Sequence, residues 1–177
     1  MRGIKTLLRP IEPADIAVLY AWENDVNNWQ VSGTLMPYSK LVLQNYLRDS
    51  SYDLHTTKQV RFVITTHNNT PIGTIDLFDY NPLHARAGVG ILIGNTDYRQ
   101  QGYATDALQT LINYATHTLL LHQLYANIGV SNTPSIQLFN RLNFECVGIK
   151  KQWNKTATGF DDESMYQLLI PPVSNPE

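Results

Sequence analysis

The sequence predicts one mixed α+β domain, residues 1–177 with its core at about 6–170, in which flanking helices cover a central sheet of about seven strands. Three observations carry this. Between Gln59 and Gly94, three β-rich segments follow one another with only turn residues between them, as consecutive antiparallel strands do. Ala104, Ala107, Leu108, Leu111, Ile112, Ala115 and Leu119 then recur at offsets of 3, 4, 7, 8, 11 and 15, the stripe of a helix with one buried face. After it Leu124, Ala126, Ile128 and Val130 alternate at the period of a strand. The expected order is β-α-α-β-β-β-α-β-α-β-β.

Thr6 to Ile11 reads as a short strand stopped by Pro10. Pro13 suits the first turn of a helix, where its missing N–H costs little, and Ile16, Leu19, Tyr20 and Glu23 continue at helical spacing. A Pro- and Gly-containing loop is expected from Asn24 to Tyr38. Ser39 then caps a helix carrying Val42, Leu43, Tyr46 and Leu47. Gln59 to Thr66 and Pro71 to Tyr80 form a hairpin about His67-Asn68-Asn69-Thr70. Asn81-Pro82 breaks the second strand, and Ala85 to Gly94 forms a third with Val89, Ile91 and Ile93 on one face. Asn132 or Thr133 caps a short helix carrying Ile136, Leu138, Phe139 and Leu142. Phe144 to Lys151 and Ser164 to Ile170 close the sheet, with Asp161-Asp162-Glu163 as a solvated loop.

A hydrophobic fraction of 43% is enough for a core without disulfide or metal support. The single cysteine, Cys146, excludes an internal disulfide and reads as a small buried hydrophobe. Five histidines include no His-x-x-x-His pair, so no metal is expected. Thirteen basic against fifteen acidic residues give a net charge of −2 with no basic stripe, which argues against a nucleic-acid partner. No apolar run approaches the roughly 20 residues that span a bilayer, and the N-terminus lacks a signal core. The expectation is a cytoplasmic protein with no membrane partner.

Arg99-Gln100-Gln101-Gly102-Tyr103-Ala104 lies between a strong strand and the strongest helix. Glycine lets the backbone approach a ligand, and the first N–H groups of a helix point outward without internal partners. Such a turn binds phosphate, and Arg99 would add positive charge. The alternative is a capping turn with a solvated arginine.

With this loop, the strand Gly88 to Gly94 and the segment Asn132 to Phe144, the chain resembles the GNAT superfamily of N-acetyltransferases over roughly Leu8 to Leu169. Leu8-Arg9-Pro10 and Trp22-Glu23-Asn24-Asp25 look like the branch holding spermidine acetyltransferases and ribosomal-protein N-terminal acetyltransferases. The resemblance implies a GNAT-like sheet and acetyl-CoA as donor, without a metal. It implies that Ile91, Leu92 and Ile93 pair through their main chain with the pantetheine arm. Arg99, Gln100, Gln101, Gly102, Tyr103 and Ala104 would cradle the pyrophosphate, and Asn132, Ser135 and Phe139 would lie against the cofactor. The acceptor would be a small polyamine or diamine, with a protein N-terminus as one alternative and a non-catalytic acetyl-CoA-binding module as another. A homodimer through the closing strands is a further expectation.

Two positions depart from the family pattern. Phe139 stands where a proton-donating tyrosine is frequent, and phenylalanine cannot donate. Gly88 stands where a carboxylate is frequent. Asp76 and Tyr80, four apart on one regular strand, share a face and are the replacement acid–base candidates, with Asp79 facing away and Tyr98 as another hydroxyl. Glu23, Asp25, Asp76 and Trp29 are candidate acceptor contacts. Trp22, Trp29 and Trp153 could wall a cation pocket or simply fill space.

Overall fold

The computed structural model describes residues 1–32, 34, 36–49, 53–156 and 158–171. One seven-stranded sheet runs in the order β1-β2-β3-β4-β5-β7-β6. Its strands are β1 (Thr6–Pro10), β2 (Val60–Thr66), β3 (Pro71–Asn81), β4 (Arg86–Leu92), β5 (Gln123–Gly129), β6 (Glu145–Thr156) and β7 (Gly159–Leu169). All neighbours are antiparallel except β4 and β5. The helices are α1 (Ile16–Glu23), α2 (Val26–Ser32), α3 (Lys40–Asp49), α4 (Leu54–Thr57), α5 (Tyr103–His117) and α6 (Thr133–Arg141).

Strand alternation sorts the sheet into two faces. Ile75, Leu77, Val89, Leu124 and Ala126 meet Ala107, Leu108, Leu111 and Ala115 of α5 and Phe139 of α6 in the larger core. Val63 meets Leu19 and Trp22 of α1 and Leu43 of α3 in a smaller core on the opposite face.

The expected loop at Asn24 to Tyr38 instead contains α2, and its Gly33 lies outside the described residues. Polar α2 has no apolar period to announce it; tertiary hydrogen bonds hold it. Asp25 accepts from the Asn27 amide at its start, buried Asn28 donates to the Trp22 carbonyl at 3.1 Å, and Trp29 donates to the Glu23 carbonyl at 2.9 Å. Short α4 is likewise additional, capped by the Asp53 carboxylate.

Three further expectations are corrected. Asp161, Asp162 and Glu163 belong to β7, where they bind Ser131, Lys151 and Lys150. Cys146 is exposed, because β6 is an edge strand whose residues are mostly in solvent. Asp76 and Tyr80 do not share a face, because β3 is irregular: its register against β4 shifts between Phe78 and Asn81, and Asp79 takes φ 50°. The extra residue reverses the alternation. Tyr80 enters the larger core, and Asp79 comes round to the side of Phe78, hydrogen-bonded to Tyr125 of β5.

Asp106 in the first turn of α5 ties the N-terminal segment down. Its carboxylate accepts the amides of Ile4, Lys5 and Thr6 and the Thr6 hydroxyl, all within 2.9 Å. Burial opposes its ionisation, but the Thr6 hydroxyl and these amides outweigh burial and hold the carboxyl below the usual carboxylate range. Asp106→Ala is expected to cost about 2–4 kcal/mol. With a lowered folded pKa, the wild-type advantage is complete above the ordinary pKa of about 4 and shrinks as pH falls through the folded value. Thermal melts of both proteins at neutral pH and near pH 3 check this: the gap between midpoints should narrow in acid.

Candidate active site

Parallel β4 and β5 pair only through Arg86–Gln123, Ala87–Leu124 and Gly88–Tyr125. Past Gly88, β4 runs on to Leu92 and β5 to Gly129 without pairing each other. The two strands therefore open a wedge in mid-sheet, and main-chain groups on facing edges want hydrogen-bond partners. Ile91 and Leu92 line this edge, whereas the Ile93 carbonyl already accepts from Arg99 Nε at 2.8 Å.

At the open end of the wedge the chain turns into α5. Gln100 (φ 59°) and Gly102 (φ 84°) are both left-handed, which curls the backbone into a concavity continuous with the free amides of the first helical turn. Lys5 adds a charge the sequence did not reveal: its Nζ donates to the Gln101 carbonyl at 2.9 Å and lies 5.7 Å over the Tyr103 ring. Lys5 and Arg141 line an open depression of about 320 Å³ beside Gly102 and Thr105. Two cations, a helix N-terminus and a left-handed turn make a binding surface for phosphate groups.

Arg99 is placed differently from the expected phosphate contact. Besides Ile93, it donates to Asn28 Oδ1 at 3.1 Å, so it ties the loop to α2. The Gln101 side chain turns back to the Asp97 carbonyl, and Tyr98 packs edge-on against Tyr103 at 5.4 Å. Asn132 accepts from the Ser135 amide at 3.2 Å as the α6 cap. Phe139 is buried edge-to-face with Phe144 at 4.9 Å.

On the face of α1 and α3, Asp76, Phe78, Gly88, Gly90 and Tyr125 lie side by side across β3, β4 and β5. A Cβ at Gly88 would come within 2.3 Å of the Phe78 ring, so that ring fills the space over Gly88. At Gly90 the nearest atom would be Asp76 Oδ2 at 3.7 Å, which leaves room for an acceptor beside the wedge. Asp76 is clamped by Arg61: Nε to Oδ1 is 2.7 Å and the second bond 2.9 Å. The same guanidinium reaches Glu23 Oε1 at 2.7 Å and lies over the Tyr46 ring at 5.4 Å. Burial works against the Arg61 charge, but Asp76, then Tyr46 and Glu23, raise its pKa above the ordinary arginine value.

Both oxygens of Asp76 are thus engaged, and Tyr80 sits in the opposite core beside His55, so the expected acid–base pair is not assembled. Asp25 caps α2 and Trp29 braces Glu23. Trp22 is buried over Gly94, and Trp153 stands exposed on β6 with Lys150 over its ring. Tyr125 is the residue that sequence reading missed. Its hydroxyl donates to Asp79 Oδ2 at 2.9 Å, its ring meets Phe78 edge-on at 5.8 Å, and burial and then that hydrogen bond push its pKa up to about 12. A trough of about 340 Å³ runs on from it, lined by Arg86, Asn127, Lys150 and Met165.

Among the described residues no group of three or more His, Cys, Asp or Glu could hold a metal ion, and no helix is long and apolar enough to cross a membrane.

Comparison with known proteins agrees with this geometry. The chain is 27% identical to N-acetyltransferase p20 of Bacillus licheniformis, over 90% of this chain and 88% of that protein. It is 25% identical to spermidine N(1)-acetyltransferase of Vibrio cholerae over about half of each chain (51% and 52%). The crystal structure of the Vibrio cholerae spermidine N-acetyltransferase in complex with CoA and spermine superposes with TM-score 0.84 at 22% identity, over 93% of this chain and 95% of that one. The family model described as Acetyltransferase (GNAT) domain matches residues 5–145. The wedge between β4 and β5, the concave turn into α5 and this match lead to one conclusion: the chain belongs to the GNAT acetyltransferase family and is an acetyl-CoA-dependent N-acetyltransferase.

Proposed function

We propose that the protein transfers the acetyl group of acetyl-CoA directly to a primary amine, with a small polyamine or diamine as acceptor. The observation that carries the acceptor class is the Glu23–Arg61–Asp76 cluster. Two carboxylates share one guanidinium, so a net charge of −1 faces the open space at Gly90. A partly desolvated negative charge favours a cationic amine over a neutral one. The resemblance to a spermidine acetyltransferase supports the same reading.

The residues present fit the donor. The open β4 edge at Ile91 and Leu92 suits an amide-bearing arm, and the turn from Gln100 to Ala104 with Lys5 and Arg141 suits its phosphates. When bound, acetyl-CoA supplies the thioester carbonyl carbon and a thiolate leaving group. The protein's part is to hold the amine at the wedge and take up its proton.

A second reading, acetylation of a protein N-terminus, is favoured by the trough beyond Tyr125, whose Arg86 would repel a polycation. The test is acetyl transfer by the purified protein to putrescine, spermidine, spermine and peptides with free N-termini. Preference for the polyamines supports the first reading and preference for the peptides the second. Binding of acetyl-CoA with no transfer to any of them would mark a non-catalytic module. Glu23→Gln is expected to raise KM for a polyamine about 5- to 20-fold with kcat changed less than about twofold, the size of one charge-assisted contact.

The assembly state is a separate proposal. The edge strand β6 and its hairpin partner β7 expose Val147, Ile149, Trp153 and Phe160, a surface suited to a second copy. Sedimentation at two protein concentrations tests it.

A further inference from the structure

Transfer to an amine requires that the nitrogen lose protons, and at neutral pH an amine arrives as an ammonium ion. Some group at the mouth of the wedge must accept them. Neither Gly88, covered by the Phe78 ring, nor Gly90, which is open, carries a side chain that could do so. Asp76 beside them is held at both oxygens by Arg61. Tyr125 occupies the last β4–β5 pair, at the point where the strands part, and its side chain packs edge-on against Phe78 and reaches Asp79 of β3. Asp79 is exposed to solvent, so a proton delivered to it has a way out.

From this geometry we infer that Tyr125 and Asp79 form the proton exit of the transferase, the Tyr125 hydroxyl touching the acceptor nitrogen and Asp79 drawing the proton through it. This rests on the N-acetyltransfer reading above. The nitrogen lone pair forms the C–N bond to the carbonyl carbon, the C–S bond breaks, and its electron pair leaves on sulfur. The surplus proton on nitrogen passes to Tyr125 Oη as the Tyr125 proton passes to Asp79 Oδ2. Asp79 returns it to water, and the thiolate takes a proton from water. The ammonium sheds its first proton by the same path before attack.

The geometry suits a relay. The Phe78 ring packs edge-on against Tyr125 and restricts the phenol, and the bulge at Asp79 aims the carboxylate back across the sheet. A tightly held phenol with a raised pKa is a poor store of negative charge and serves better as a conduit, accepting one proton while releasing another. The charged groups facing the pair are Arg86 on β4, Lys150 on β6 with Glu163 on β7, and the Arg61–Asp76 pair on β2 and β3. Arg86 favours the phenolate and is outweighed by burial and Asp79.

Tyr125→Phe keeps the ring and removes the hydroxyl. Its kcat on the preferred amine should fall about 10²- to 10³-fold, with acetyl-CoA affinity and melting temperature close to wild type. Asp79→Asn keeps an acceptor for the hydroxyl but cannot take its proton. It should lower kcat by at least tenfold and weaken the rise of kcat with pH, whereas a purely structural role would leave that profile in place. A readout independent of turnover is phenolate absorbance. With Asp79 neutral, one tyrosine should ionise at lower pH than in the wild type, and that change should vanish in the Asp79→Asn/Tyr125→Phe double variant. A Tyr125→Phe enzyme with kcat within threefold of wild type overturns the relay and leaves the transferase reading standing. A wild-type protein that acetylates no amine in the panel overturns both.

Discussion

Replacing Arg61 with methionine is expected to destabilise the protein by about 3–5 kcal/mol, a large loss for a single side chain. The reason is the asymmetry of buried ion clusters. Arg61 supplies two charge-assisted hydrogen bonds to Asp76 and one to Glu23, and both carboxylates are mostly shielded from water, at 15% and 13% exposure. Methionine preserves much of the stem packing over Tyr46 but leaves two negative charges facing each other without a counter-ion. At about 2–4 °C per kcal/mol for a domain of this size, the melting temperature should drop by roughly 6–20 °C. Arg61→Lys should recover part of the loss, because an ammonium supplies charge without the planar fork. Calorimetric melts of the three proteins check both statements. A drop below about 1 kcal/mol for Arg61→Met would mean that water screens the cluster and that its net charge cannot select the acceptor.

The second large effect is expected at Gly102. Its φ of 84° lies where a β-branched residue is strongly disfavoured, although a Cβ would meet only Lys5 Nζ, at 3.7 Å. The obstacle is backbone conformation and not crowding, so Gly102→Val should cost about 1–3 kcal/mol locally. The chain relieves this by rotating the turn, which disperses the amides that curve toward α5. Acetyl-CoA affinity measured by titration calorimetry should fall at least tenfold, more than the fall in stability would suggest. Gly102→Ala, with a smaller barrier to left-handed geometry, should lie between. Unchanged affinity in Gly102→Val would place the phosphates elsewhere.

The elements visible in the sequence are those whose local signal and tertiary role agree. The stripe on α5 and the alternation on β5 are legible because burial imposes them, and the His67-Asn68-Asn69-Thr70 turn fixes the β2–β3 hairpin. Arg61 comes opposite Asp76 only past a one-residue register shift between Ile64 and Thr65, which no turn residue announces. Tyr125 offered no local route either, since its neighbour Gly88 is reached only through a parallel crossover by way of α5. Asp79 escaped for a different reason. One bulged residue inverts every later side chain on a strand, and no composition rule announces a bulge in Asp76-Leu77-Phe78-Asp79-Tyr80. Helix α2 escaped because side-chain hydrogen bonds to α1, and not apolar spacing, hold it in place.

Three pairs join β4 to β5, while seven join β5 to β7. Mechanically the sheet is two panels, β1 to β4 and β5 to β6, sharing a short seam. A donor laid into the opening as proposed would act as mortar, adding main-chain bonds to β4 that the polypeptide does not make for itself. Its binding energy would then be folding energy: at a hundred times its dissociation constant a ligand raises stability by about 2.7 kcal/mol. The enzyme would thus be stiffest when charged with donor and loosest after the spent carrier departs, so that cohesion of the whole fold follows the turnover cycle.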